Sequence, residues 1–183
     1  MRAAPSPNSV VAWRSAIAIG AVAVFLATAA PGSSTVSRAT TACATAGLVV
    51  WLNNQPGGAA AGSTYHELEF TNLSGRACTL RGYPGVSAVD LRGRQLGSAA
   101  GRNPTHTPTT ITLAPGASAV SVLQIADVYN YPAAICPRTT AAGLRVYPPN
   151  QTQAKIVPFP FLACSRRGPT YLHVAPVQRA SAG

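Results

Sequence analysis

The chain has four cysteines, and their wide spacing limits what they can do. Neighbouring cysteines are at least 28 residues apart. Zinc sites use close Cys-x-x-Cys pairs, and thiol redox sites use the same short motif, so neither chemistry is predicted. An even number of cysteines instead predicts structural disulfides, provided that the chain is exported. Three pairings are possible, and we favour the sequential one, which joins Cys43 to Cys78 and Cys136 to Cys164.

The first 29 residues have the three parts of a secretory signal peptide. Arg2 and Arg14 give a positive start, residues 16–27 are apolar and uncharged, and Ala27-Thr28-Ala29 offers a small-residue cleavage site. A membrane-spanning helix needs about 20 apolar residues, and this run is shorter. We therefore predict cleavage after Ala29 and export to the extracellular medium or the cell wall. The alternative is an uncleaved signal that tethers the protein to the membrane.

Three further segments are predicted after the signal. Residues 30–42 are small and hydroxylated, which is typical of a flexible spacer. Residues 43–174 contain all four cysteines and the strand-like patterns, so we expect a β-sandwich domain there. Residues 175–183 are predicted to form a flexible tail.

Short β-branched runs separated by Gly/Pro turns predict an all-β domain. Residues 64–71 alternate, with His66, Leu68 and Phe70 on one face and polar side chains on the other. The 16 prolines would also interrupt helices. Seven to nine short strands favour an antiparallel immunoglobulin-like β-sandwich held by the disulfides. The candidate strands are 47–52, 64–71, 76–80, 86–91, 110–113, 117–128, 143–147, 156–157 and 171–174, with long loops at 53–63 and 97–109.

The charge of the chain indicates an acidic partner. Its formal net charge is +10, from 14 basic and four acidic residues, and such a balance attracts anionic molecules. The arginines are scattered, and no basic run exceeds Arg166-Arg167. Nucleic-acid binding normally needs clustered charge with interleaved aromatic residues, so it is not predicted. We expect an acidic polymer of the cell envelope or an acidic protein as the partner.

Several motifs occur in a recognisable order. They are Cys43 before a strand, Glu69-Phe-Thr-Asn-Leu-Ser74, Cys78-Thr-Leu-Arg-Gly-Tyr-Pro-Gly-Val86, Thr112-Leu-Ala-Pro-Gly-Ala-Ser-Ala119 and Leu144-Arg-Val-Tyr-Pro-Pro149. This pattern, over about residues 43–174, resembles a family of secreted actinobacterial domains of unknown function, DUF4232. The resemblance implies an immunoglobulin-like sandwich in a cell-envelope or extracellular setting. It implies no activity. Many relatives carry a tryptophan in the strand after the Pro-Gly turn, whereas residues 119–125 here have none.

No catalytic or cofactor-binding motif stands out. There is no Gly-x-Ser-x-Gly elbow, no glycine-rich phosphate loop and no acidic calcium loop, so neither a cofactor nor a metal is predicted. Glu67 and Glu69 lie on one strand face, about 7 Å apart at ideal spacing. Paired carboxylates can hydrolyse glycosides, but such a pair is more often a solvated face. His66, on the opposite face, is expected to be a packed, hydrogen-bonded histidine.

Among the aromatic residues, Tyr83 is the candidate for a binding contact. It lies in a Gly-Tyr-Pro-Gly turn, where it is either a turn anchor or a contact residue. Trp51 is instead expected to pack in the core near a disulfide. We predict a non-catalytic binding or structural module, with Tyr83, Glu67 and Glu69 as candidate contacts. The alternatives are an extracellular hydrolase using Glu67 and Glu69, and a glycan carrier modified within 33–41 and 104–112.

Overall fold

The computed structural model describes residues 40–53, 58–60 and 62–180. The predicted signal peptide at 1–29, its cleavage site and most of the predicted spacer lie outside the described residues. The described chain contains β-strands and two single-turn 3-10 helices, and none of its residues are α-helical. No helix in this part of the chain is long and apolar enough to cross a membrane.

The strands are short in most of the chain, and four have nine or ten residues. The larger strands are β3 (Ser63–Asn72), β9 (Ser118–Ala126), β10 (Arg138–Tyr147) and β11 (Lys155–Cys164). The others are β1 (Leu48–Asn53), β2 (Ala59–Ala60), β4 (Cys78–Leu80), β5 (Gly85–Val89), β6 (Gln95–Leu96), β7 (Gly101–Arg102), β8 (Ile111–Leu113), β12 (Leu172–Val174) and β13 (Gln178–Arg179). The 3-10 helices are η1 (Thr45–Gly47) and η2 (Val128–Asn130).

The largest sheet is built around β3 and β9. Its strand order is β1-β3-β9-β12-β7, with β2 also paired to β3 and β13 to β9. β3 and β9 are antiparallel, and their register runs from Ser63 opposite Ala126 to Thr71 opposite Ser118. The short pairing of β12 with β7 is parallel. It brings a segment of the predicted loop 97–109 into the sheet.

The second sheet has the order β11-β10-β5-β6, and its strands are antiparallel. β10 and β11 shift register between Ala141 and Gly143. A Cβ at Gly143 would lie 2.4 Å from the Val157 carbonyl oxygen, so a side chain at 143 would force this bulge apart. β11 is the outer strand of this sheet and contains Pro158 and Pro160, which have no N–H to donate. A separate two-stranded sheet joins β4 to β8.

One hydrophobic cluster contains buried side chains from all three sheets. Phe70 and Leu123 of the largest sheet and Leu144 of the second are completely buried, and Leu80 and Leu113 come from the β4–β8 pair. Burial of such side chains provides roughly 1.5–3 kcal/mol each. The prediction of an all-β domain is confirmed. So is the alternation in 64–71, where Leu68 and Phe70 are buried and Glu67 is exposed.

Several predicted boundaries are wrong. β10 begins at Arg138 instead of 143, and β11 covers 155–164, where only 156–157 was predicted. The prolines of β11 concealed that strand, because an outer strand tolerates proline whereas a paired inner one does not. The ordered chain also continues beyond residue 174, where a flexible tail was predicted: Val177 is completely buried and β13 pairs with β9. Residues 181–183 lie outside the described chain.

Both favoured disulfides are present. Cys43 is bonded to Cys78 and Cys136 to Cys164, each with a Cα–Cα distance of 4.8 Å. The first joins the segment before η1 to β4, where the Cys43 N–H also donates to the Thr79 carbonyl at 2.9 Å. The second joins the segment before β10 to the end of β11. All four cysteines are buried, so each bond adds a covalent link within the core.

Asn72, at the end of β3, connects three chain segments through its side chain. Its Nδ2 donates to the carbonyl oxygens of Arg76 at 2.8 Å and Leu113 at 3.0 Å. Its Oδ1 accepts from the backbone N–H and the hydroxyl of Ser74, at 3.0 and 2.7 Å. The residue has no exposed surface. Asn72 therefore fixes the turn after β3 against the end of β8.

Removing either disulfide should lower the free energy of unfolding substantially. For sequence separations of 35 and 28 residues, chain entropy predicts a loss of about 3–4 kcal/mol for each pair replaced by alanines. Urea unfolding of C43A/C78A and of C136A/C164A measures this loss. A decrease of less than about 1 kcal/mol in either variant would contradict the entropic estimate.

Asn72→Ala should destabilise the domain by about 3 kcal/mol, because the buried Leu113 carbonyl, the partly buried Arg76 carbonyl and the Ser74 donors lose their partner. Asn103→Ala is the matched control, since the half-buried Asn103 makes no side-chain hydrogen bond among the described residues. The control should change the free energy of unfolding by no more than about 0.5 kcal/mol. Equal effects of the two substitutions would rule out the role given to Asn72.

Candidate functional site

Two open clefts among the described residues are lined by the candidate residues Tyr83 and His66. The first, which we call the arginine cleft, has a volume of about 510 Å³. The second, which we call the histidine cleft, has a volume of about 470 Å³. Both volumes lie in the range of roughly 300–1,000 Å³ that is typical of small-ligand sites. The arginine cleft is lined by Arg81, Gly82, Tyr83, Gly85, Arg102, Pro108, Tyr147, Pro148, Asn150 and Gln151.

The turn before β5 holds Tyr83 at the arginine cleft. Gly82 has a φ of 101°, a conformation that favours glycine, and its carbonyl accepts the Val177 N–H at 2.8 Å. On the other side of the turn, Gly85 pairs with Tyr147 of β10. A Cβ on Gly85 would lie 3.4 Å from that of Tyr147, and Tyr83 and Tyr147 both line the cleft.

Two guanidinium groups lie in this cleft. Arg102, at the end of β7, places its Cζ 5.2 Å from the centroid of the Tyr83 ring, a distance at which a cation–π contact forms. Arg81 is exposed, and its guanidinium has no hydrogen bond or ion pair with a described residue. A guanidinium can bind a carboxylate or a phosphate through two parallel hydrogen bonds. Both arginines can therefore bind an anion.

The turn after β10 completes the polar side of the cleft. Asn150 has a positive φ of 60°, which asparagine tolerates better than most residues. Its Nδ2 donates to the Arg81 carbonyl oxygen at 3.2 Å, and the Gln151 N–H donates to the Pro148 carbonyl at 3.0 Å. These bonds fix the turn beside Arg81 and bring amide groups to the cleft.

None of the four acidic side chains lines the arginine cleft. Asp90 pairs with Arg94 at 2.8 Å, the one ion pair among the described residues. Hydrogen bonds from the backbone N–H and the guanidinium of Arg94 hold the pKa of Asp90 below its ordinary value. Asp127 caps η2, and Glu67 and Glu69 lie on β3. Bound anions would thus meet no carboxylate in the cleft.

Glu67 and Glu69 share the outer face of β3, as the alternation predicted. They lie opposite Val122 and Val120 of β9, and the Thr71 hydroxyl donates to Glu69 Oε1 at 3.5 Å. Neither carboxylate lines the arginine cleft or the histidine cleft. The structure does not bring them together with Tyr83 into one site.

Trp51 is not in the core, contrary to expectation. Its side chain is 42% exposed on the outer face of β1, where Trp51 pairs with Glu69. Leu48 and Leu52, at alternate positions of the same strand, are buried instead. The apolar run 47–52 did not show which of its residues face outward.

The histidine cleft was missed by sequence reasoning. It lies where the first residues of β3 and the end of β9 face β11, and His66 is one of the residues that line it. The His66 ring makes an edge contact with Phe159, with centroids 5.0 Å apart, and Phe159 is 5.6 Å from Phe161. The two phenylalanines alternate with prolines in 158–161. This alternation was the sequence signal from which the strand beside the cleft could have been predicted, but proline is uncommon inside strands.

His66 has only one of its two ring nitrogens hydrogen-bonded. Nε2 lies 3.3 Å from the Thr64 hydroxyl oxygen, whereas Nδ1 is buried and has no partner among the described residues. Burial lowers the pKa of His66 below its ordinary value, because a protonated ring would lose water without gaining an acceptor. The expectation of a packed, hydrogen-bonded histidine is therefore met at one nitrogen.

The family model for a domain of unknown function, DUF4232, matches residues 43–178. The chain belongs to the DUF4232 family. No curated protein and no solved structure matches it. The residues of the DUF4232 match include every residue of both clefts. The family description assigns no activity to either one.

The unfolding free energy of this DUF4232 domain should contain a pH-dependent contribution from His66. An unfolded histidine titrates near pH 6.5, and the folded pKa is lower, so the unfolded state binds more protons between the two values. The contribution is therefore present above about pH 6.5 and is lost as the pH falls through the folded pKa.

Urea unfolding of the wild type and of His66→Phe between pH 5 and 7.5 measures this contribution. The wild type should lose more stability than the variant as the pH is lowered, since carboxylates titrate equally in both proteins. Parallel pH profiles would show that His66 has no such role.

Proposed function

We propose that this protein is an exported, non-catalytic binding module that recognises an acidic polymer of the cell envelope through the arginine cleft. The observation that carries the proposal is the position of Arg81 and Arg102 beside Tyr83 and Tyr147, with no carboxylate lining the cleft. Export is supported by the N-terminal signal pattern, and two disulfides are typical of proteins in oxidising compartments.

An immunoglobulin-like arrangement of the sheets is part of the same proposal. Antiparallel pairing dominates the two larger sheets, and their buried side chains share one cluster. In sandwiches of this kind, loops and turns at the ends of the strands form the usual recognition surfaces. The arginine cleft consists largely of such segments, because its residues come from turns before β5 and after β10 and from the end of β7.

The chemistry of the cleft suits a repeating unit that carries a carboxylate or a phosphate. The Arg81 guanidinium has no hydrogen bond or ion pair with a described residue, so binding an anion breaks no existing ion pair there. Arg102 is held over the Tyr83 ring, which reduces the freedom that its side chain loses on binding. Asn150 and Gln151 provide amide groups that can bind hydroxyl groups of the same unit.

The dimensions of the cleft favour a polymer over a folded protein partner. A stable protein interface buries about 800 Å² on each side, and its surface is seldom a single narrow concavity. A cleft of about 510 Å³ has the size of a small-ligand site and can hold one or two units of a chain. The large excess of basic over acidic residues would speed the approach of an anionic polymer.

Calorimetric titration with three polymers tests the proposal. Polygalacturonate provides carboxylates, polyphosphate provides phosphates, and dextran is the neutral control. Binding is expected for at least one anionic polymer at low salt, with weaker affinity at 300 mM salt because of screening, and none is expected for dextran. The stronger of the two anionic polymers identifies the charged group. No binding to either one at low salt would overturn the proposal.

Matched arginine variants test whether the cleft itself is used. R81Q/R102Q should lower the affinity at least about tenfold, since each charged hydrogen-bonded contact contributes roughly 1.5–3 kcal/mol. R166Q/R167Q removes the same charge from two exposed arginines that do not line the cleft. This control should bind nearly as well as the wild type. Equal losses in the two variants would indicate diffuse attraction and would refute a site at the cleft.

Two further outcomes separate the proposal from its alternatives. If the polymer becomes shorter during incubation with the wild type but not with E67Q/E69Q, the protein is a hydrolase and the non-catalytic reading is wrong. If a pull-down from envelope extract recovers an acidic protein while neither polymer binds, the partner is that protein.

A further inference from the structure

We propose that the histidine cleft is a second, independent binding site, for a small uncharged ligand that combines an apolar ring with a hydroxyl group. The site shares no lining residue with the arginine cleft. The proposal therefore stands or falls separately from the polymer-binding function.

The apolar wall of the histidine cleft comes from both large sheets and η2. Phe159 and Phe161 of β11 face Ile125 of β9 and Val128 of η2. The phenylalanines are half-buried. The centroid of the Phe159 ring lies 5.0 Å from that of His66 and 5.6 Å from that of Phe161. Aromatic rings arranged edge to face or offset accept a further ring favourably.

The volume of the cleft fits a ligand with one or two rings. An apolar cavity of about 150 Å³ is large enough to hold one benzene. The histidine cleft, at about 470 Å³, is open on one side, so part of this space stays in contact with water. A two-ring compound would cover the phenylalanines and leave its polar end at the mouth of the cleft.

Hydrogen-bonding groups are concentrated at one position of the rim. His66 Nε2 and the Thr64 hydroxyl are 3.3 Å apart and exposed to solvent. A neutral imidazole nitrogen and a hydroxyl can together accept one hydrogen bond and donate another. A ligand hydroxyl has the same dual capacity and can hydrogen-bond to both members of this pair.

The charge of the surroundings favours an uncharged ligand. Asp127 is the one charged residue among the described lining residues, and its Oδ1 already accepts the Tyr129 N–H at 2.9 Å. A ligand carboxylate would meet Asp127 and no cationic side chain. A cationic ligand would approach a protein with a large excess of basic over acidic residues, which repels it.

Backbone contacts hold the rim in place before a ligand binds. The Gly62 carbonyl accepts the Asp127 N–H at 2.8 Å and the Asn130 Nδ2 at 3.0 Å. A Cβ at Gly62 would lie 2.8 Å from Asn130 Nδ2, and its φ is 71°, so a glycine is required there. Preorganisation of this kind reduces the entropy lost on binding.

Titration with four naphthalene compounds tests the ligand class. They are 2-naphthol, naphthalene, 2-naphthoate and 2-naphthylmethylamine, which share the ring system and differ in polarity and charge. Affinity should be highest for 2-naphthol, about fivefold above naphthalene, as expected for one net hydrogen bond. Tighter binding of the anion or the cation, equal binding of naphthol and naphthalene, or no binding of any compound would overturn the proposal.

Two substitutions locate the bound compound in the histidine cleft. Ala60→Phe fills the cleft from its exposed rim and should lower 2-naphthol affinity at least about tenfold, in keeping with loss of the apolar contact area. Ala99→Phe, at an exposed alanine outside the cleft, is the matched control. Thr64→Val keeps the shape of the side chain and should abolish the preference for naphthol over naphthalene.

The folding of each variant can be checked by its circular dichroism and urea midpoint. If Ala60→Phe fails to fold, Thr64→Val still decides the question, because its effect is a change in preference between two compounds. Unchanged preference in Thr64→Val, or equal loss of affinity in Ala60→Phe and Ala99→Phe, would refute this site. None of these results depends on polymer binding at the arginine cleft.

Discussion

The pairing of β3 with β9 is the contact on which most of the domain depends. β3 also pairs with β1 and β2, and β9 also pairs with β12 and β13. Every other strand of the largest sheet except β7 therefore pairs directly with β3 or β9. A register slip of one residue would turn Leu68 and Phe70 to the solvent and Glu67 and Glu69 into the core. Burial of one face therefore fixes the register.

This register also determines where the histidine cleft forms. It places Thr64 opposite Ile125 and His66 opposite Leu123, so a polar pair and an apolar wall meet at one end of the sheet. β11 of the second sheet provides the facing phenylalanines. The arginine cleft depends on different pairings: β12 holds β7 in parallel, and β10 holds β5. The two clefts thus rest on separate parts of one scaffold.

The sequence predicted the scaffold better than the clefts, for physical reasons. Alternation in 64–71 reports directly on burial. The even number of widely spaced cysteines predicted disulfides, and the favoured sequential pairing is the one that forms. Tyr83 was identified as a candidate contact because its turn is conspicuous. Arg81 and Arg102 were not identified, since parallel pairing of short β7 with β12 has no local signal. Phe159 and Phe161 were missed because prolines at alternate positions obscure a strand pattern.

The Glu69-Phe-Thr-Asn-Leu-Ser74 motif has a structural explanation that its sequence alone did not reveal. Asn72 is completely buried and satisfies carbonyl groups from two other segments through one amide. A buried amide of this kind is costly unless all of its groups are paired. This part of the family pattern is thus explained by the closing of a turn, and none of its residues lines either cleft.

The prolines of β11 affect how readily copies of this protein associate through their sheet edges at high concentration. An outermost strand normally offers a row of free N–H and C=O groups on which a strand of another molecule can grow into a continuous sheet. Pro158 and Pro160 interrupt that row of donors, and Lys155 adds a charge where the strand begins. Sheet growth from this edge is therefore disfavoured.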